Sequence, residues 1–262
     1  MKAEPLSTPA RAQTPAHALS PSQVTTFLDC AARWYFGKVI KLSDPANGAL
    51  ALGHAIHRAT AAVMRGKGAN GGELPEYAAA LQIFEHAWAH ELLTAKLAPD
   101  EPATALLDTG RKMLLAWHMQ IAPDLMPAAV ELALIGQIGG VTIHAIADLI
   151  TTEGLIVDLK TAAKKPGAIR ADHAFQLATY ALLADRQNAR VITIAKTANP
   201  GIVQHSITIG PNEKKYAEAI YPLVAQAMQS GLYPPRRSSY LCSRKHCPFW
   251  RECVEEFGGE VH

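Results

Sequence analysis

Two aspartates and a lysine fall within one short stretch, Ala145 to Thr161, AIADLITTEGLIVDLKT. Runs of β-type composition flank Thr152-Glu153-Gly154. A three-residue loop with glycine in its last place suits a hairpin, because glycine enters the left-handed region without steric cost. With those three residues as the loop, Asp148 lies directly opposite Asp158. Directly opposed side chains have Cβ atoms roughly 5 Å apart, where like charges repel. Two buried carboxylates so placed need a cation. Lys160 is two residues beyond Asp158 and therefore points to the same strand face. Two acids and a lysine on one sheet face suit divalent-metal phosphodiester chemistry. A one-residue slip in register would undo the set.

A second group of chemically active residues is the four cysteines, Cys30, Cys242, Cys247 and Cys253. The last three are spaced C-x₄-C-x₅-C and the first is far away in the chain. In a reducing compartment such thiols bind metal rather than pair. Four thiolates suit Zn²⁺ or an iron–sulfur cluster. Zinc sites draw their ligands as two neighbouring couples, which a lone Cys30 does not supply, so the spacing favours a 4Fe-4S cluster. Either metal would tie the first helix to the C-terminus across a very long loop, and its loss should cost folding free energy.

The elements that must hold these residues are legible from period and punctuation. Residues 1–19 are rich in Pro, Ala, Ser and Thr and are expected to form a disordered tail. Ser20-Pro21 caps a helix running through Phe36, with Val24, Phe27, Leu28 and Ala31 on its apolar stripe. A second, alanine-rich helix covers Asn47 to Met64 and carries His54 and His57, followed by a flexible break at 66–72. Helices are expected over 75–96 and 102–121. Alternation then predicts strands over 130–138, 141–151, 155–161, 191–197 and 202–209, with helices at 171–186 and 211–230. The expected fold class is α/β: a mixed sheet flanked by helices, with a helical N-terminal part (20–127), a catalytic sheet core (128–230) and a cysteine-rich tail (231–262), all within one domain from residue 20.

Composition narrows the partners. The 262 residues carry a net charge of +2, so contact with nucleic acid must come from local patches. Such patches are Arg236, Arg237, Arg244, Lys245 and Arg251 in the tail, and Lys164, Lys165 and Arg170 after the candidate catalytic strand. Both are expected to line a path for a nucleic-acid backbone. No apolar run reaches membrane length and no secretory h-region opens the chain, so the expectation is a cytoplasmic protein. The phosphate-binding pattern G-x-x-x-x-G-K-[ST] is missing, so a nucleotide-driven motor would come from another chain.

Taken in order, these pieces resemble the RecB-like branch of the PD-(D/E)XK nucleases, which includes the RecB and AddB nuclease domains and CRISPR adaptation nucleases. The resemblance runs from Ser20 to Cys253. The leading helix S-x-S-x-x-x-x-F-x-x-C is Ser20, Ser22, Phe27 and Cys30, the G-x-x-x-H helix is Gly53 to His57, the strand acid is Asp148, the D-x-K strand is Asp158-Leu159-Lys160, and Q-x-x-x-Y is Gln176 and Tyr180. The first two tail cysteines are four residues apart where the family commonly has two.

The resemblance implies a restriction-endonuclease-like fold and metal-dependent hydrolysis of DNA, with an exonuclease acting on single strands or ends. His57, Asp148, Asp158 and the Leu159 carbonyl would hold Mg²⁺ or Mn²⁺. Lys160 would orient or help deprotonate the attacking water. Gln176 and Tyr180, one helical turn apart, would lie near the metal and the strand. Cys30, Cys242, Cys247 and Cys253 would hold the 4Fe-4S cluster, and a helicase or CRISPR integrase would be the protein partner. Two rival classes remain: a non-catalytic iron–sulfur DNA-binding scaffold, distinguished by binding without cleavage, and an electron-transfer protein, distinguished by a reversibly reducible cluster. Glu131, His144 and His173 receive no role.

Overall fold

The computed structural model describes residues 18–262. The expected disordered tail lies outside them up to residue 17. Leu19, which falls within the expected tail, is buried, and its N–H donates to the Thr142 carbonyl at 2.9 Å. The chain divides into two compact units. The larger comprises residues 45–138 and 143–217; the smaller comprises the described residues up to Asp44, residues 139–142 and 218–262.

In the larger unit, α3 (Gly48–Ala69) begins at Asn47, whose side chain accepts the Leu50 N–H and so satisfies one of the unpaired donors of the first turn. The helix runs through the expected break at 66–72. Gly66 and Gly68 serve close approach there, to Pro75 and Pro127, and the chain turns only at Gly71 and Gly72, both at positive φ. α4 (Tyr77–Leu92) and α5 (Ala103–Gln120) pack against α3 and each other. Leu52, Ile56, Phe84, Met113 and Leu114 are fully buried among them, each contributing about 1.5–3 kcal/mol of apolar burial. Gly110 is obligatory in this packing, since a Cβ there would collide with the Phe84 ring.

Five strands form one mixed sheet in the order β1 (Pro127–Ile138), β2 (Val141–Thr151), β3 (Ile156–Ala162), β4 (Asn188–Ala195) and β5 (Ile202–Thr208). β2·β3 and β4·β5 are antiparallel; β3·β4 is parallel, bridged by α6 (Ala171–Ala184). Val157, Leu159, Ile192 and Ile194 join the core shared with α3, α4 and α5. By strand alternation Asp158 and Lys160 face the other way, toward α6. This is the expected α/β architecture, a mixed sheet flanked by helices.

The smaller unit holds α1 (Pro21–Asp29), α2 (Ala31–Lys38), the second half of α7 (Pro211–Gln229) and α8 (Trp250–Phe257). Its core is aromatic: Phe27, Trp34 and Tyr35 surround Tyr233, with Tyr35 stacked on it at 4.7 Å. The single helix expected from Ser22 to Phe36 is instead broken at Cys30 (φ −159°, ψ 105°). At the break the Cys30 N–H closes α1 on Thr26 and the Cys30 carbonyl opens α2 by accepting from Trp34, while no side chain caps α2. α8 was not expected from the sequence. Among the described residues no helix is long and apolar enough to cross a membrane.

Candidate active site and thiol pocket

The β2·β3 turn has the geometry expected for it. Gly154 sits at φ 80°, the Thr151 N–H donates to the Leu155 carbonyl, and Leu149 pairs with Val157. That register continues to Asp148 opposite Asp158. The backbone ladder, however, stops at Leu149. The Leu159 N–H donates at 2.8 Å to Oδ2 of Asp148, so a carboxylate takes the place of a strand carbonyl and the two strands part at the acids.

His57 reaches this opening from α3, its Nδ1 3.6 Å from Asp148 Oδ2. Gly53, one turn earlier, explains how. A Cβ at Gly53 would lie 2.9 Å from Thr161 Oγ1 on β3, so only glycine lets α3 approach this closely. The same hydroxyl accepts from Lys196, whose Nζ also donates to the Ala49 carbonyl in the first turn of α3. Burial lowers the Lys196 pKa, partly offset by Glu101.

The two carboxylates differ. Burial opposes ionisation of Asp148, but His57, Lys160 and the Leu159 N–H outweigh it and hold its pKa below the usual value. Asp158 is 1% exposed, and burial pushes its pKa up to about 6 despite Lys160, with Asp148 adding repulsion. Lys160 Nζ lies 2.9 Å from both Asp158 oxygens, but only Oδ1 has hydrogen-bond geometry; Oδ2 is buried with no such partner among the described residues. Lys160 also donates to Gln176 Oε1 at 2.9 Å, and the Gln176 amide donates to the Tyr180 hydroxyl. The chain Asp158–Lys160–Gln176–Tyr180 thus links β3 to α6. As placed, Asp148 is matched by His57 and Asp158 by Lys160, and among the described residues no three His, Cys, Asp or Glu side chains are gathered to hold a metal ion.

Two residues without an expected role belong to this region. Glu131 lines one pocket with His57, Asp148 and Leu159. Counting back from the two-residue turn Gly139-Gly140, whose φ values of 58° and 79° suit a hairpin, puts Glu131 opposite Asp148. The Thr152 N–H to Met126 carbonyl bond puts Val130 there instead. One extra residue in β1 reconciles the two, and Glu131, at φ 49°, is the strand's positive-φ residue. The bulge turns Glu131 into the pocket mouth, where it pairs with Arg65 of α3. The Gly-Gly turn was the signal that could have found it. His173, one turn before Gln176, is neutral: burial lowers its pKa to about 4, and nearby Lys160 adds to the effect. His144 is exposed on β2.

In the smaller unit, Cys30, Cys242, Cys247 and Cys253 line a single pocket. Burial raises the pKa of Cys247, and that of Cys253 to about 11. Arg237 donates toward Cys242 Sγ at 3.9 Å, and the Arg236 N–H donates to Cys30 Sγ at 3.5 Å. Among the basic residues expected to line a strand path, Arg170 is held by both oxygens of Asp172, whereas Lys164 and Lys165 are exposed.

A family model described as the PD-(D/E)XK nuclease superfamily matches residues 18–254. Among solved structures, the fold is similar to a "Putative exonuclease" from Eubacterium rectale, at 12% identity and TM-score 0.58, over 90% of this chain and 87% of that one. SSO0001 is matched at 17% identity and TM-score 0.37, over 86% of this chain and 93% of that one. A comparison with curated proteins finds none that matches.

Proposed function

Because the chain belongs to the PD-(D/E)XK nuclease superfamily, we propose that it is a divalent-metal-dependent deoxyribonuclease of the RecB-like branch. In this reading it is an exonuclease that hydrolyses phosphodiester bonds in single-stranded DNA or at DNA ends. The observation that carries the reading is Asp158: a buried carboxylate with a raised pKa and one oxygen that no hydrogen bond reaches, beside a second carboxylate. Two neighbouring carboxylates, one of them with a buried oxygen that no hydrogen bond reaches, suit a divalent cation.

His57, Asp148, Asp158 and the Leu159 carbonyl would hold Mg²⁺ or Mn²⁺. Bound there, the ion would polarise the scissile phosphate and acidify water beside it. The chain's own residues do the rest. Asp148, anchored by the Leu159 N–H, stays ionised at neutral pH. Lys160, held by Gln176 at 2.9 Å, would set its charge against the negative charge that grows on the phosphate oxygens. Tyr180 holds the Gln176 amide so that its carbonyl keeps facing Lys160.

For the thiol pocket we propose a 4Fe-4S cluster on Cys30, Cys242, Cys247 and Cys253. Four soft donors share one pocket, which suits zinc or an iron–sulfur cluster, and the one-plus-three spacing of the cysteines in the chain favours the cluster. Arg33 and Arg237 favour the thiolate forms of Cys247 and Cys253. The cellular setting we infer is cytoplasmic DNA repair and recombination or CRISPR spacer acquisition, with a helicase or an integrase as protein partner.

The test is cleavage of end-labelled single-stranded DNA by anaerobically purified wild type and Asp158→Ala, with Mg²⁺, Mn²⁺ or EDTA. Metal-dependent degradation by the wild type only is expected, and labelling each end in turn reads polarity. Binding without cleavage under every metal would replace the hydrolase with a scaffold.

A further inference from the structure

Between Gly231 and Arg251 the chain carries five Arg and Lys residues and no acid, whereas four glutamates follow between Glu252 and Glu260. Within the basic stretch Tyr240 is 76% exposed, the most exposed aromatic ring among the large apolar side chains at the surface. Its backbone is not loose. Ser239 beside it is buried and donates to Asp29 at 3.2 Å, the Leu241 N–H returns to the Ser239 hydroxyl, and the Cys242 N–H closes the turn on the Ser239 carbonyl. The ring meets His246 edge-on at 6.2 Å, and His246 is itself pinned by Ser243 at 2.8 Å. A large aromatic held exposed on an anchored turn presents its ring face to an outside partner at little conformational cost.

The cations around it are sorted by what they already hold. Arg237 is committed, donating to the Gly258 and Cys253 carbonyls and toward Cys242. Arg236 leans toward Asp29 at 3.9 Å. Arg244 and Arg251 both sit 5.1 Å from the centre of the Trp250 ring, and neither they nor Lys245 pairs with a carboxylate among the described residues. Guanidiniums held against an indole keep their N–H edges for an outside acceptor. An anchored exposed ring beside three uncommitted cations is the pairing of stacking face and phosphate-binding charge that a single nucleic-acid strand requires.

We propose that this segment is a stacking surface for single-stranded nucleic acid: Tyr240 takes the face of an unpaired base, and Arg244, Lys245 and Arg251 take the phosphates on either side of it. The proposal rests on the nuclease reading, since it names the strand state of the substrate, but binding here does not require cleavage. A duplex buries its base faces in its own stack and offers this surface phosphates only.

The experiment uses the anaerobically purified full chain in EDTA, so that nothing is cut. Fluorescence anisotropy compares labelled oligo(dT) with an abasic strand of the same length and with duplex, for wild type, Tyr240→Ala, Tyr240→Phe and the triple Arg244→Ala, Lys245→Ala, Arg251→Ala. Wild type is expected to prefer oligo(dT) over the abasic strand by about 5- to 150-fold, the range of one base stacked on an aromatic side chain. Tyr240→Ala loses that preference and Tyr240→Phe keeps it. The triple variant weakens both strands alike and flattens the salt dependence by about 0.7 in log–log slope per lost phosphate contact. A wild type that binds the two strands equally, or binds neither, overturns the proposal, as does Tyr240→Ala with its preference intact. Cleavage with Mn²⁺ is scored separately. A protein that cuts DNA but fails these comparisons loses only the stacking surface; one that passes them but cuts nothing loses only the hydrolase.

Discussion

Gly53 faces Thr161 so closely that a Cβ on the glycine would lie 2.9 Å from the threonine hydroxyl. The spacing between Gly53 and His57 is therefore a packing constraint with a chemical purpose: it sets how deeply α3 lies on β3, and hence where His57 meets Asp148. Gly53→Ala should destabilise the fold by about 1–3 kcal/mol, as overpacking does, and reduce metal-dependent cleavage by displacing His57. Adding Thr161→Ala should recover part of both. Melting temperatures and cleavage rates of the two variants check this, and a Gly53→Ala protein with wild-type activity would contradict it.

Asp158 titrates near 6 in the folded chain, above the roughly 3.9 of an unfolded aspartate. The folded state therefore takes up this proton first. Through this group the fold gains stability as pH falls below 6, and that gain is withdrawn as pH rises through 6, by on the order of 2–3 kcal/mol. Asp158→Asn should thus melt at or above the wild-type temperature at pH 7.5 in EDTA, with no such advantage near pH 4.5, while losing cleavage. Mg²⁺ should raise the melting temperature of the wild type and leave the variant unmoved. An Asn variant less stable than wild type at pH 7.5 would show that the carboxylate is not held at electrostatic cost.

Lys160 is bound on one side to Asp158 and on the other to Gln176. Lys160→Met should lower the turnover rate by about 10²–10³-fold, the scale of a lost charge-stabilising donor, with divalent-ion affinity retained or improved. Gln176→Ala should lower turnover less, because the amine survives and only its aim is lost. Single-turnover cleavage and calorimetric metal titration separate the two effects. Equal losses in metal affinity and rate for Lys160→Met would refute its placement at the phosphate.

Glu131 occupies a left-handed backbone conformation that costs a side-chain-bearing residue roughly 1–2 kcal/mol. Glu131→Gly relieves that cost, so the variant should be as stable as wild type or more so, despite losing the pair with Arg65. Cleavage should fall nonetheless, since the pocket loses one of the two carboxylates that line it. Unfolding in urea beside activity at several metal concentrations reads both. A variant that loses stability and keeps activity would make Glu131 a structural residue.

The four cysteines should act as one. Cys30→Ala and Cys247→Ala, far apart in sequence, should each remove iron and sulfide together and lower the melting temperature, because both line the same pocket. Stoichiometric zinc in the wild type, with no acid-labile sulfide, would overturn the cluster assignment.

How much of this was legible beforehand depends on how local each cause is. The turn at Thr152–Gly154 follows from glycine and loop length, and with it the pairing of Leu149 with Val157, both present in the structure; the backbone pairing stops one position short of the acids. The break at Cys30 in the expected helix from Ser22 to Phe36 leaves no mark in composition, because no glycine or proline stands there and the N–H and carbonyl of Cys30 itself stay bonded. The glycines at 66 and 68 read as flexible because sequence does not show the prolines that they pack against.

By itself, then, the sequence determined the five strands, most of the helices, the hairpin register and the residue types able to hold metal, because period, capping and turn chemistry act over a few residues. Only the tertiary structure decided that Asp148 bonds the Leu159 N–H in place of a strand partner, that one buried oxygen of Asp158 is reached by no hydrogen bond, and that Glu131 bulges into the pocket. Those facts depend on how closely α3, α6 and the sheet approach one another. Such distances are set by the whole packed core, and no short stretch of the chain encodes them alone.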